Sequence, residues 1–174
     1  LIVCNHVSYF DSILLISLYG RHTTIAKARL FAIPIFGRML RASGYLPSAA
    51  SASLAGLMVA RLESLPTELA AGTNFFVFPE GTRSRDGRIG GFHSSIFKIA
   101  RKLSLPIEVL AVRNTERLFR PGSFVFKAFK RGTIVLDRVG TVAPAATNRG
   151  KGALQAMMTD TRNMLENHLQ TSST

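Results

Sequence analysis

The chain has 174 residues, 47% hydrophobic and 18% charged, enough for one core and a single domain. Lysine and arginine outnumber the acids 22 to 10, a net charge of +12, which favours anionic partners: nucleic acid, acidic lipid or a phosphorylated substrate. A lone cysteine, Cys4, excludes an internal disulfide framework and fits a reducing, cytosolic setting, and no apolar run reaches the ~18 residues of a membrane-spanning helix.

In chain order, Leu1–Cys4 reads as a short buried strand, followed by a helix over Asp11–Tyr19 that Ser8 or Asp11 helps to cap. Thr23–Ala26 is a second strand, and a helix starts near Pro34 and runs to Ala42. Gly44–Leu46 is a brief strand ended by Pro47. Ser51–Ala71 carries Leu54, Leu57, Met58, Arg61, Leu62, Leu65 and Leu69 at helical spacing, with a break or kink expected after Ser64 because of Pro66. Asn74–Phe78 is a buried strand, Ser84–Gly91 a polar loop, Ser94–Leu103 a helix with a basic face and Ile107–Val112 a strand. Gly122–Phe129 and Gly132–Val142 alternate like an antiparallel hairpin. Gly150–Leu169 is a terminal helix with Leu154, Met157, Met158, Thr161, Met164, Leu165 and Leu169 on its inner stripe, before a frayed tail. The class is α/β: a mostly parallel central sheet flanked by helices, with antiparallel edge strands. The chain starts inside a strand-like run, so the expectation is a fragment.

Two stretches carry chemistry. Asn5-His6-Val7-Ser8-Tyr9-Phe10-Asp11 sets a histidine five residues ahead of an aspartate at a strand end. In a regular helix those positions lie ~140° apart, so His6 and Asp11 meet only if the chain turns before the helix starts. Asp11 would then fix the imidazole tautomer, and the other ring nitrogen would take a proton from an attacking hydroxyl. With no serine or cysteine in an obvious nucleophile elbow, direct attack by a substrate hydroxyl is favoured over an acyl-enzyme, Ser8 being the residue that would reverse this. A helix cap by Asp11 beside a hydrogen-bonded core histidine fits the same spacing.

The second stretch is Phe78-Pro79-Glu80-Gly81-Thr82-Arg83-Ser84. Pro79 stops the strand, Gly81 permits a tight turn whose N–H groups form an anion nest, Thr82 adds a hydroxyl, and Arg83 brings a planar fork suited to phosphate. Glu80 pairs with a substrate hydroxyl or holds Arg83. A plain β-turn with a solvated arginine fits too.

Together, in this order and about seventy residues apart, the two stretches resemble the glycerophospholipid acyltransferase family, nearest to its 1-acylglycerol-3-phosphate acyltransferase branch. Lys27-Ala28-Arg29-Leu30-Phe31 with Ile33-Pro34-Ile35-Phe36-Gly37 is similar to the segment after that family's first motif. Gly44-Tyr45-Leu46-Pro47-Ser48 stands in its second motif's place without the usual basic residue, and Leu105-Pro106-Ile107 to Val112 stands in its fourth motif's place without a second proline. The likeness spans roughly Leu1 to Val112.

The resemblance implies residues 1–174 as one acyltransferase-like domain that makes phosphatidic acid from 1-acylglycerol-3-phosphate, with a membrane-associating segment preceding Leu1. His6 would be the base and Asp11 its orienter. Lys27, Glu80, Gly81, Thr82 and Arg83 would surround the glycerol phosphate. Acyl-CoA or acyl-carrier protein would be the co-substrate, with no metal and no other cofactor. The expected setting is an anionic membrane surface, with the site on the cytoplasmic side and no nucleic-acid partner. Glycerol-3-phosphate, another lysophospholipid or a lyso-ornithine lipid remain as alternative acceptors. A non-catalytic basic module that binds nucleic acid or membrane is the reading that the net charge alone would suggest.

Overall fold

The computed structural model describes residues 1–48, 53–84, 86–118, 132–144 and 151–171. In chain order the elements are β1 (Ile2–Cys4), α1 (Phe10–Leu18), β2 (His22–Ala26), a 3-10 turn (Ala28–Ala32), α2 (Pro34–Ala42), β3 (Leu46–Pro47), α3 (Ala55–Ala70), β4 (Asn74–Val77), α4 (Ser94–Lys102), β5 (Ile107–Arg113), α5 (Thr115–Leu118), β6 (Val135–Val142) and α6 (Lys151–Thr171). β1 pairs with β5, and β2 with β3 and β4, all in parallel, while β6 runs antiparallel to β5. The class is the expected one, α/β and mostly parallel. The chain groups into two compact units, Leu1–Leu18 with Val77–Thr174, and Tyr19–Phe76.

In the first unit β1 is buried at every position, which is why Ile-Val-Cys carries no polar alternation. Val3 faces Val109 and Cys4 faces Leu110 across the ladder. The buried Asn5 side chain then continues the strand by imitation, with Nδ2 donating to the Val112 carbonyl at 2.9 Å and Oδ1 accepting the Val112 N–H at 2.7 Å. The backbone beyond Asn5 is thereby freed to turn at the carboxyl end of a parallel strand, where open α/β sheets place ligands. On the other side of β5, the register with β6 slips between Val109 and Leu110. α6 packs on β5, β6 and α4. Its deepest row is Ala153, Met157, Thr161 and Leu165, spaced four apart. Each of the two large apolar residues in that row contributes about 1.5–3 kcal/mol of burial. Leu154, Met158, Met164 and Leu169 of the expected stripe are half-buried beside it. β6 begins at Val135, and its partner is β5. The proposed hairpin partner Gly122–Phe129 lies outside the described residues.

In the second unit Phe31, Leu40, Tyr45 and Leu54 form the core against Ala26, Ala28, Leu30 and Leu57. Two expectations fail here. Gly44 does not open a strand: at φ +72 it ends α2, with its N–H on the Arg41 carbonyl at 3.1 Å and the Tyr45 N–H on Leu40 at 3.0 Å. The strand is shifted to Leu46–Pro47, with Pro47 opposite Ala26. Pro66 does not break α3, which runs on to Ala70. A bidentate pair from Arg61 to Glu68, 2.7 Å on both arms, spans the proline, Arg61 Nε also reaches the Gly44 carbonyl, and Leu65 is fully buried beside it. Those contacts offset the one backbone hydrogen bond that a proline removes.

Candidate active site

The chain between His6 and Asp11 does turn. α1 starts at Phe10, and the Ser8 hydroxyl accepts the Phe10 N–H at 3.2 Å, capping the helix. Asp11, in the first turn, reaches backwards. Its Oδ2 accepts the Val7 N–H at 2.7 Å, the Ser8 N–H at 2.8 Å and His6 Nδ1 at 2.9 Å. Its Oδ1 accepts the hydroxyl of Thr115, at the start of α5. Asp11, Ser8 and Thr115 are all fully buried. An oxygen already accepting two backbone donors is an acceptor towards the ring as well, so Nδ1 is the donor and Nε2 carries the lone pair. No described residue hydrogen-bonds Nε2, and the His6 side chain keeps 15% exposure. The cap and the His-Asp pair are therefore one construction: Ser8 caps the helix, which leaves the aspartate for the imidazole. A buried hydroxyl engaged in that cap is a poor nucleophile, so Ser8 does not reverse the preference for direct attack.

The second motif closes on the same histidine. The His6 N–H donates to Glu80 Oε1 at 3.0 Å, the His6 carbonyl accepts the Ser84 N–H at 2.7 Å, and the His6 ring stacks on Phe78 with centroids 4.1 Å apart. Glu80 is buried, and its second oxygen accepts the Gly90 N–H at 2.8 Å. Burial pushes its carboxyl above the ordinary value, while the Gly90 and His6 N–H groups pull back. Arg162 of α6 anchors the far side of this loop through the carbonyls of Gly90 and Ile89, both at 3.0 Å. Glu80 thus acts as a staple between the two motifs.

The turn itself forms as its residues require. The Gly81 N–H bonds the Phe78 carbonyl at 3.1 Å, and Gly81 sits at φ +65. A side chain at Gly81 would also press on His93, whose Nε2 lies 2.7 Å from the place of a Cβ. Gly81 and Thr82 are exposed. Arg83 lies over the ring of Tyr9, its Cζ 3.4 Å from the centroid, and its Nη1 is buried with no hydrogen-bond acceptor among the described residues. His6, Asp11, Glu80, Gly81, Thr82 and Arg83 are brought into one neighbourhood within the first unit. Lys27 belongs to the second unit, exposed at the start of the 3-10 turn, with its carbonyl accepting the Leu30 N–H at 2.9 Å. Cys4 is buried as expected, and burial, with Asp11 and Glu80 nearby, pushes its thiol well up, away from nucleophile chemistry.

Sequence reasoning missed Thr115 and the seat that Tyr9 gives Arg83. The Thr115–Asp11 contact spans 104 residues, so no spacing announces it. Tyr9 was visible inside the first motif, and the arginine of the second motif was the signal for an aromatic partner.

A family model described as Acyltransferase matches residues 1–113, which contain both motifs and all of β5. The chloroplastic 1-acyl-sn-glycerol-3-phosphate acyltransferases of Brassica napus and Arabidopsis thaliana are each 33% identical over 121 residues, covering 70% of this chain. The same alignments cover 35% and 33% of those proteins, so the chain spans about a third of the relatives it matches. The crystal structure of the 1-acyl-sn-glycerophosphate acyltransferase PlsC from Thermotoga maritima aligns with a TM-score of 0.68 at 25% identity, over 95% of this chain and 64% of that one. With the site's geometry, these likenesses lead to one conclusion: the chain belongs to the acyltransferase family.

Proposed function

We propose that this protein transfers a fatty acyl group from a thioester, acyl-CoA or acyl-carrier protein, to the free hydroxyl of 1-acylglycerol-3-phosphate, giving phosphatidic acid. The observation that carries the reading is the His6 Nδ1–Asp11 contact at 2.9 Å, which leaves Nε2 as the ring's lone-pair nitrogen beside the arginine turn. Nε2 takes the proton of the glycerol hydroxyl as its oxygen attacks the thioester carbonyl. Asp11 stabilises the imidazolium that forms. Collapse of the tetrahedral adduct breaks the C–S bond, and the imidazolium returns its proton to the departing thiolate, so the ring ends as it began.

The acceptor's phosphate is assigned to the Gly81-Thr82-Arg83 turn. Arg83 Nη1 is a buried donor that an anionic oxygen would satisfy, and the exposed turn offers further donors. Glu80 holds that turn against His6. The assignment of Lys27 to the same phosphate rests on the family resemblance. No metal and no redox group enters these steps. The net charge of +12 supports work at an anionic membrane surface, with the site on its cytoplasmic side.

The test is an acceptor panel with the full-length protein in detergent or liposomes. It compares 1-acylglycerol-3-phosphate, glycerol-3-phosphate, lysophospholipids with substituted phosphates and a lyso-ornithine lipid. The proposal expects thiol release and phosphatidate formation to be fastest with 1-acylglycerol-3-phosphate. Faster transfer to an acceptor that lacks an exposed phosphate would overturn the acceptor assignment.

A further inference from the structure

The outward face of α2 breaks the usual rule for a surface helix. Gly37 and Leu40 are buried, and they fix which side points inward. Gly37 lies so close to the 3-10 turn that a Cβ there would sit 2.2 Å from the Phe31 carbonyl oxygen. At ~100° per residue, Ile35, Met39 and Ala42 then point the opposite way, where a globular helix carries charge. Ile35 is 85% exposed and Met39 50%, and Ile33 and Phe36 add apolar surface on the same segment. Among the described residues these are large exposed hydrophobics with nothing packed over them, which marks an interaction surface.

The charge around this face selects the partner. No aspartate or glutamate occurs between Asp11 and Glu63, while Arg21, Lys27, Arg29, Arg38 and Arg41 all fall in that run. Arg29 and Arg38 are exposed beside the apolar residues. A second copy of the chain would bring like charges together, and a typical protein surface mixes both signs. A uniformly negative surface that also accepts apolar side chains is an anionic phospholipid bilayer. At nine residues α2 is far shorter than the ~20 that span a bilayer, so a helix lying in the interface is the geometry open to it.

We propose that the outer face of α2, through Ile35 and Met39, with Ile33 and Phe36 at its edge, inserts into the headgroup layer of an anionic bilayer while Arg29 and Arg38 bind lipid phosphates. This rests on the membrane reading above and names the surface that makes the contact. The lipid acceptor and the protein then meet in the same plane.

Residues 1–174 contain no tryptophan, so with any tryptophan elsewhere in the full-length protein changed to phenylalanine a single one is a clean reporter. Ile35→Trp and, as a control, Val59→Trp are placed in the full-length protein (Val59 is an exposed apolar residue of α3, 55% accessible). Each is mixed with vesicles of phosphatidylcholine alone or with phosphatidylglycerol, at low and high salt. The expected result is a blue shift and quenching by brominated lipid at position 35, dependent on anionic lipid and weakened by salt, with position 59 unchanged. Arg29→Gln and Arg38→Gln should each weaken vesicle binding roughly fivefold. Sedimentation with vesicles while Trp at position 35 stays water-exposed would overturn the α2 assignment and leave the membrane reading intact. Failure to bind any vesicle would overturn both. A lipid-independent blue shift that grows with protein concentration would overturn the lipid assignment in favour of self-association, and one independent of concentration would do so in favour of another segment of the protein.

Discussion

Thr115→Val isolates a contact that no motif contains. Its hydroxyl donates to Asp11 Oδ1, both residues are fully buried, and the other carboxylate oxygen is already shared by Val7, Ser8 and His6. Valine keeps the shape and deletes the donor, leaving a buried carboxylate oxygen unpaired at a cost of about 1–3 kcal/mol. At roughly 2–4 °C per kcal/mol for a chain of this size, Tm should fall by about 2–12 °C. Catalysis should suffer separately. A carboxylate held on one edge only no longer fixes the imidazole, and kcat should drop about tenfold, equivalent to ~1.4 kcal/mol, with KM unchanged. Thr115→Ser restores the hydroxyl and should recover kcat to within about twofold. The assay is acyl transfer followed by thiol release, alongside thermal unfolding of all three proteins. A valine variant with wild-type kcat and Tm would refute the reasoning, and a serine variant as slow as valine would assign the effect to packing.

Three further outcomes follow from the same geometry. Asp11→Asn should keep the fold, since the amide oxygen can take the place of Oδ2 and the NH2 group can face a reoriented Thr115 hydroxyl, yet lower kcat by about 10²-fold or more because the imidazolium loses its anion; a folded Asn variant with near-normal kcat would contradict it. Gly81→Ala should shift the denaturant midpoint by the equivalent of about 1–2 kcal/mol, because Gly81 sits at φ +65 and the new methyl meets His93; an unchanged midpoint would contradict it. The hydrogen bond from His168, with the Arg113 guanidinium, holds the Asp137 carboxyl below its ordinary value. That depressed pKa stabilises the fold fully above the unfolded value of ~4 and loses its contribution as pH falls through the lower folded value. The Tm gap between wild type and Asp137→Asn should therefore close in acid, and a gap independent of pH would refute the coupling.

Much of the site was legible because its chemistry is local. Asn5, His6 and Asp11 act within seven residues, and Glu80 to Arg83 within four, so sequence spacing carried both motifs. Their meeting was legible only as a family resemblance, since the contacts that join them, the Glu80 carboxylate on the His6 N–H and the Ser84 N–H on the His6 carbonyl, are long-range bonds to the His6 backbone. Helix and strand types followed from period and punctuation, but Pro66 and Gly44 were misread for one shared reason. Arg61 binds both the Gly44 carbonyl and Glu68, holding a helix through its proline and fixing a glycine as a helix stop. A local propensity loses to such a tertiary contact, and no window of sequence displays it. The outward apolar face of α2 was not legible either, because spacing alone does not say which side of the helix Gly37 and Leu40 turn inward.

The central claim is that His6 takes the acceptor's proton. The direct measurement is phosphatidate formation from acyl-CoA and 1-acylglycerol-3-phosphate by His6→Ala in the full-length protein, with circular dichroism and Tm to establish that it is folded. The account predicts a loss of at least about 10²-fold in kcat with acceptor binding retained. A folded His6→Ala protein that turns over at the wild-type rate would contradict it.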